Sequence, residues 1–272
     1  MKIILSHDVD HLYWQEHYFK DIYTPGTIFR NTIGWLKGNI SLKLYIKRLK
    51  CWGRLHRLPE LIEFYREKNI KANFFFGMNN ALGLSYNYKQ SKKWIDKLLK
   101  ENHRVGVHGI AFDHIETIKT EYNRFKELSG LPVFGIRTHY LRMSKNSQQL
   151  FEQQGYIFDS SIDEIKDPYK LDKIWVIPIS IMEVSLVNNA QLNQDIDLWK
   201  ANTLNRLKLA ENENIPYFVV NFHDLYFSNK FPVIKEWYIW LIELLKTKKY
   251  QFINFEGAVV ELNKSSLKES QN

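Results

Sequence analysis

Short apolar runs alternate with amphipathic segments along most of this chain. Eight runs rich in Val, Ile and Phe have the length and the polar or glycine boundaries of strands: 2–5, 72–77, 104–107, 133–136, 156–158, 175–178, 217–222 and 252–254. Five longer segments repeat apolar residues at helical spacing: 58–68, 91–101, 115–128, 148–154 and 233–245. Strands that alternate with helices predict parallel βα units, and therefore either a barrel or a doubly wound sheet.

Polar side chains recur at the carboxyl ends of the predicted strands. They are Asp8 with Asp10, His108, Arg137, Asp159 and His223. In a βα barrel that end of the strands forms the active site. Side chains alternate along a strand, so Asp8 and Asp10 project to the same side and predict one metal ligand and one base. The alternative is that both carboxylates only cap or turn the segment that follows.

The composition fits one domain spanning residues 1–272. The hydrophobic content of 44% is enough for one sizeable core, and an aromatic content of 15% suits a cleft for sugar rings. The single cysteine, Cys51, excludes an internal disulfide and a cysteine-based zinc site. The apolar run at the N-terminus is too short for a signal peptide, and no apolar stretch reaches the length of a membrane span. We therefore expect a cytoplasmic protein.

The net charge of +8 is concentrated in a predicted insertion at about residues 22–59. That segment has no acidic residue and eight basic ones, and Lys43, Lys47, Lys50 and Arg54 recur at helical spacing beside apolar positions. The pattern predicts a basic amphipathic helix. Its basic face is either simply solvated or contacts phosphates of a membrane surface or of a diphosphate-linked substrate. No nucleic-acid-binding motif accompanies the charge, so we expect no nucleic acid partner.

The polar residues at the strand ends suit metal-assisted hydrolysis. Asp10 and His108 are candidate ligands of a divalent ion, and His114, six residues after His108, is the candidate third ligand. Alternatively, His114 begins a helix and faces solvent. Asp8 fits a base that takes a proton from metal-bound water, and His223 fits an acid that protonates a departing amine.

Two of these residues have open alternatives. Arg137 could keep Asp8 ionised, or it could pair with a substrate carboxylate or phosphate. His223 could instead be a core imidazole bonded to the backbone.

Five short motifs occur together in one order: 6–10 (SHDVD), 107–109 (VHG), 135–142 (GIRTHYLR), 158–161 (FDSS) and 221–223 (NFH). In this order the chain resembles the polysaccharide deacetylases of the NodB-homology group, carbohydrate esterase family 4, and specifically a divergent bacterial branch with an HDVD-type first motif. The resemblance implies a distorted (β/α) barrel of about seven parallel strands. It also implies metal-dependent hydrolysis of an N-acetyl group on a sugar.

The resemblance also implies roles for single residues. Asp8 is similar to the family's base, Asp10 and His108 to its metal ligands, Arg137 to the arginine that orients the base, and His223 to its acid. The family's second metal histidine falls where this chain has Phe112, which leaves His114 as a displaced substitute. Asp159 resembles the acid that partners the catalytic histidine. Tyr140, with His139 beside it, lies where the family binds substrate and forms its oxyanion site.

The function that these residues imply is an N-deacetylase acting on a cell-surface polysaccharide precursor, such as one of O-antigen or capsule. The cofactor would be one divalent ion, zinc before Co, Ni, Fe or Mn. A nucleotide- or lipid-diphosphate-linked sugar at the inner membrane face would give the basic segment a use. The alternatives are a metal-free barrel that binds carbohydrate or acts as a scaffold, and a hydrolase of a non-sugar C–N bond.

Overall fold

A single, mostly parallel sheet forms the frame of the protein. The structure, a computed structural model, describes residues 1–17, 21, 23–49, 53–186 and 195–269. Its strands are β1 (Lys2–Val9), β2 (Asn73–Gly77), β3 (Arg104–Gly109), β4 (Ile136–Thr138), β5 (Phe158–Asp159), β6 (Tyr169–Leu171), β7 (Ile174–Val176), β8 (Ile181–Met182), β9 (Tyr217–Asn221) and β10 (Gln251–Ile253). They lie in the order β6-β7-β5-β4-β3-β2-β1-β9-β8, and β10 pairs with β1. Among the described strands only β6 and β7 pair antiparallel.

Along the chain, the helices alternate with these strands, and the last helix follows β10. They are α1 (Tyr23–Leu36), α2 (Leu42–Leu49), α3 (Leu58–Lys68), α4 (Lys92–Lys100), α5 (Ile115–Ser129), α6 (Ser147–Gln154), α7 (Glu183–Leu186), α8 (Ile196–Asn212), α9 (Pro232–Thr247) and α10 (Phe255–Glu269). No described helix is both long enough and apolar enough to cross a membrane.

The two faces of the sheet are packed differently, because successive residues of each strand point to opposite sides. On β1, Ile3 and Leu5 join the large core under the helices, whereas Ile4 joins a smaller inner cluster with Phe75 of β2 and Phe255 of α10. The inner face continues along β1 through Ser6 to Asp8, so it is apolar at one end and polar at the other. The polar end lies at the carboxyl ends of the strands.

The predicted alternation of strands and helices is confirmed, and the sheet is curled into a half-barrel as expected of a distorted (β/α) barrel. The strand predicted at 175–178 is β7, but several elements were not predicted: β6, which pairs with it in a hairpin, β8, and the helices α8 and α10. The runs of β6 and β8, three and two residues long, carry too little pattern of their own to be read from sequence.

The basic segment contains two helices, α1 and α2, rather than one helix. The described part of helix α2 is Leu42–Leu49, and Arg54 lies in an isolated antiparallel bridge with Tyr13. Lys50 lies outside the described residues. The division into one domain with an insertion stays a prediction.

Candidate active site

Asp8 is held at the polar end of the inner face by two donors. Arg137 Nη1 donates to Asp8 Oδ1 over 3.1 Å, and Asn221 Nδ2 donates to Asp8 Oδ2 over 2.8 Å. Burial by itself would raise the pKa of Asp8, but the charge of Arg137, with smaller contributions from His108 and His223, lowers it below its usual value. Asp8 is therefore an oriented, ionised carboxylate.

Arg137 is completely buried and every part of its guanidinium has a protein partner. Nε donates to the carbonyl of Ser160 and Nη2 to the hydroxyl of the same residue, both over 2.9 Å. Nη1 bonds Ser6, Asp8 and Asn221, and the guanidinium lies over the Phe75 ring at 4.5 Å. Arg137 thus orients Asp8. The alternative, a pair with a substrate carboxylate or phosphate, does not fit a buried and fully occupied side chain.

A second group of polar atoms converges on Asp10. His108 Nε2 lies 3.2 Å and His139 Nδ1 lies 3.5 Å from Asp10 Oδ1, and the two histidine nitrogens are 3.0 Å apart. Ligand atoms about 2.1 Å from a tetrahedral ion lie about 3.4 Å from one another, close to these separations. Among the residues that the structure describes, these three form the one group of His, Cys, Asp or Glu with such spacing.

The hydrogen bonds around the two histidines place a ring proton on the outer nitrogen of each side chain. His108 directs Nδ1 to the carbonyl of Arg137 over 3.1 Å, and His139 directs Nε2 to the carbonyl of Leu82 over 3.2 Å. A carbonyl can only accept, so in its neutral form each ring carries the proton on its outer nitrogen and offers a lone pair at the inner one. Asp10 Oδ1 is buried and receives no hydrogen bond. A divalent cation would satisfy all three atoms.

His114 does not join this group, which corrects the predicted ligand set. Its side chain is exposed at the start of α5, where Nδ1 lies 3.4 Å from Thr117 Oγ1. The chain after β3 turns away from the sheet because buried Glu121 accepts from the backbone N–H groups of Ile110 and Ala111. The third position is taken by His139. It follows β4, whose Arg137 pairs with His108 of β3.

His223 faces Asp8 and Asp10 from the other side of the site. Its Nε2 lies 3.9 Å from Asp8 Oδ2 and 3.7 Å from Asp10 Oδ2, while Nδ1 donates to fully buried Glu183. Burial would lower the pKa of His223, but the charges of Glu183, Asp10 and Asp8 outweigh it and raise the pKa to about 10. The ring is an imidazolium that the bond to Glu183 keeps in place. It is not a core histidine bonded only to backbone.

The partner of His223 was predicted wrongly. Asp159 accepts from Ser161 Oγ and from Gln148 Nε2 of α6, away from His223. Because Phe158 takes the inner face of β5, Asp159 must point to the helix side. Burial there raises the pKa of Asp159 to about 6.

Sequence reasoning assigned no role to two residues of the site, Glu183 and Asn221. Glu183 directly follows the short strand β8, the same signal that identified the other residues, but the run 181–182 was not predicted as a strand. Asn221 ends β9 two residues before His223, where its pairing with Ser6 brings it beside Asp8.

Tyr140 lies at the mouth of the site. Its side chain is 70% exposed, and both Tyr140 and Leu141 have positive φ, of 56° and 52°, which is uncommon for residues other than glycine. The turn carries the backbone past His139 and out to solvent. The oxyanion role of Tyr140 stays a prediction.

Comparison with known proteins shows which solved structures share this fold. No protein-family model matches the chain, and no curated protein does. Among solved structures, a Mycobacterium smegmatis protein assigned as a polysaccharide deacetylase superposes with a TM-score of 0.64 at 12% identity, over 97% of this chain and 90% of that one. The chain has the polysaccharide deacetylase fold.

Other structures with this fold differ in activity. BA3943 from Bacillus anthracis, described as a pseudoenzyme of the CE4 family, matches with a TM-score of 0.53 at 11% identity, over 95% of this chain and 65% of that one. An α-amylase, AmyC from Thermotoga maritima, matches with 0.51 at 10% identity, over 95% and 74%. A polysaccharide deacetylase fold alone therefore does not decide the chemistry. The side chains of the site must do so.

Proposed function

We propose that the protein is a metal-dependent N-deacetylase that removes acetate from an N-acetylated sugar of a cell-surface polysaccharide precursor, such as one of O-antigen or capsule. The observation that carries the proposal is the convergence of Asp10, His108 and His139 beside an ionised Asp8 and an imidazolium His223. Asp8 is an anion whose pKa is lowered, and His223 is a cation whose pKa is raised. Such a pair beside three potential metal ligands suits hydrolysis of an amide.

The three converging residues would hold one divalent ion. Two imidazoles and one carboxylate are borderline ligands that suit zinc first, and also Co, Ni, Fe or Mn. Bound there, such an ion lowers the pKa of water and polarises the acetyl carbonyl. The site is then completed by groups of the chain itself.

Asp8 and His223 would move the protons. Each Asp8 oxygen already accepts one hydrogen bond and keeps a lone pair, so Asp8 takes a proton from the water that attacks the acetyl carbon. A C–O bond forms and the C–N bond breaks. His223 gives its Nε2 proton to the departing sugar nitrogen, and Glu183 stabilises the imidazolium before transfer. The products are acetate and a free amine.

We extend the proposal to a substrate linked to a nucleotide or lipid diphosphate at the cytoplasmic face of the membrane. A cavity of about 260 Å³ at the loop that follows His223 is lined by Lys47, Arg57, Lys230 and Lys235, and by one carboxylate, Glu60, that pairs with Arg57 over 3.4 Å. Four cationic side chains around one cavity suit a diphosphate group.

The decisive test is acetate release by zinc-loaded protein from N-acetylated sugars on nucleotide and lipid diphosphate carriers. We expect His139→Ala to abolish release and His114→Ala to preserve it, since both lose an imidazole but only His139 reaches the cluster. If no N-acetylated sugar yields acetate from zinc-loaded protein, the proposal fails.

The second candidate is a metal-free barrel that binds carbohydrate without turnover. Phe112 in place of the family's second histidine favours it, and a pseudoenzyme shares the fold. Stoichiometric zinc that His108→Ala removes would exclude this candidate. A deacylase of a non-sugar amide would keep the same residues and differ only in the substrates that it accepts.

A further inference from the structure

The first helix of the basic segment exposes a row of large apolar side chains. On α1, Ile28, Phe29, Trp35 and Leu36 are exposed, and their spacing of i, i+1, i+7 and i+8 puts them on one face. Phe29 and Leu36 are 68% and 67% exposed. Contiguous apolar side chains on a surface mark a contact with another body more often than a free surface.

The second helix repeats the pattern and adds charge. Leu42, Ile46 and Leu49 of α2 are exposed at i, i+4 and i+7, and Lys43 and Lys47 lie exposed in the adjacent row. One face of α2 therefore combines apolar and cationic side chains. Interfacial helices of peripheral membrane proteins have this composition.

The two helices form one unit, the α1–α2 hairpin. The rings of Trp35 and Tyr45 stack with centroids 5.3 Å apart, and the hydroxyls of Thr32 and Tyr45 are 3.1 Å apart. These contacts use the facing sides of the helices. Trp35 therefore takes part in the contact between the helices, and the other apolar side chains of the two rows stay exposed.

The hairpin is attached beside the mouth of the site. Arg48 of α2 donates from Nε to the carbonyl of Lys230 over 2.9 Å and lies over the ring of Phe231 at 4.8 Å. Both partners belong to the loop that begins at His223.

The charge of the segment selects the partner. Residues 22–59 contain no carboxylate, and the hairpin exposes Arg30, Lys37, Lys43 and Lys47. An anionic bilayer provides phosphates for such cations and an apolar layer for the rows between them. A merely solvated helix face would not explain the exposed rows of Phe and Leu side chains.

We propose that the α1–α2 hairpin docks the protein on an anionic phospholipid surface, with Phe29 and Leu36 inserted among the acyl chains and the lysines at the headgroups. This inference rests on the proposed function and deepens it, because docking beside the site mouth selects a lipid-linked sugar as the substrate. The protein lies on the membrane without crossing it.

The first test is flotation of the full chain with vesicles of phosphatidylcholine alone or of an equimolar mixture with phosphatidylglycerol. The wild-type protein should float only with the anionic vesicles. Phe29→Ser/Leu36→Ser should lower partitioning about tenfold or more, because two large apolar side chains lose their insertion. The matched control is Leu204→Ser/Leu209→Ser on α8, where both residues are also exposed. This control should float like the wild type.

The second test changes charge. Lys37→Glu/Lys43→Glu should abolish flotation, whereas Lys119→Glu/Lys208→Glu makes the same change of net charge at exposed positions elsewhere and should retain most of it. An equal loss of flotation in the two double variants would overturn the proposal. Failure of the wild-type protein to float with anionic vesicles would also overturn it. Circular dichroism verifies that each variant is folded.

Two further outcomes distinguish membrane docking from dimerisation and from the proposed deacetylase activity. If the hairpin is a surface for a second copy of the chain, Phe29→Ser/Leu36→Ser will convert a dimer to a monomer in sedimentation while no vesicle binds, which would refute docking. Acetate release from a lipid-diphosphate-linked N-acetylated sugar dissolved in detergent tests the proposed activity without any membrane. Flotation without acetate release would refute the deacetylase and leave docking intact. Acetate release without flotation would refute docking and leave the proposed deacetylase intact.

Discussion

The Nδ1–H of His223 donates to Glu183, a carboxylate with no exposure to solvent. The pair joins the end of β9 to the residue that follows β8, two strands that are neighbours in the sheet. It fixes the ring so that Nε2 faces Asp8 and Asp10. The Glu183 charge is also the largest favourable influence on the imidazolium.

Glu183→Gln should lower the pKa of His223, because the neutral amide cannot stabilise the imidazolium. The proton that His223 must donate is then lost at lower pH. We expect the alkaline limb of the kcat/KM profile to move to lower pH, and kcat to fall about 10- to 100-fold. A pH series of acetate release measures both. An unchanged alkaline limb would show that His223 is not the acid.

His139→Ala should lower metal affinity by about 100-fold or more, since one of three ligand atoms is lost. His114→Ala should leave metal content unchanged, because the His114 side chain is exposed beside Thr117. Elemental analysis after dialysis against a weak chelator measures both variants. Equal metal content in the two variants would contradict the Asp10–His108–His139 set.

Asn221→Ala should reduce kcat about tenfold or more with little change in KM, because a hydrogen bond to a charged group is lost at Asp8. Arg137 would then hold Asp8 alone, through a single oxygen. Asn123→Ala, at an exposed position of α5, is the matched control. Zinc content should be unchanged in both variants. A loss of zinc from Asn221→Ala would indicate a broader structural role.

Glu121 should make stability depend on pH. Burial raises its pKa from 4.5 to about 7, against the opposing effect of the bonds from Ala111 and Ile110. Between these values the native state keeps a proton that the unfolded chain has lost, so stability is full below pH 4.5 and falls as pH rises to 7. The loss from this one group is about 3 kcal/mol.

Urea unfolding at several pH values tests this dependence. Glu121→Gln cannot ionise, so its free energy of unfolding should change less than that of the wild type across the same interval. Glu116→Gln, at an exposed position of the same helix, should follow the wild type. A Glu121→Gln curve parallel to the wild type would place the pKa of Glu121 near its ordinary value.

The sequence by itself determined the parallel βα pattern of the sheet and most of the candidate catalytic side chains. Apolar runs alternating with amphipathic segments predict parallel strands, and parallel strands align their carboxyl ends. A polar residue directly after an apolar run must therefore lie at one rim. This local reasoning identified Asp8, Asp10, His108, Arg137 and His223, all of which the structure brings together.

Only the tertiary structure decided which side chains pair. His139 replaces His114 because β3 lies beside β4, whereas the loop after β3 leads away to α5. Glu183 replaces Asp159 because β8 lies beside β9, and because alternation turns Asp159 to the helix side of β5. Neighbours across a sheet are set by strand order, register and the packing of distant segments. No local pattern in the chain encodes that proximity.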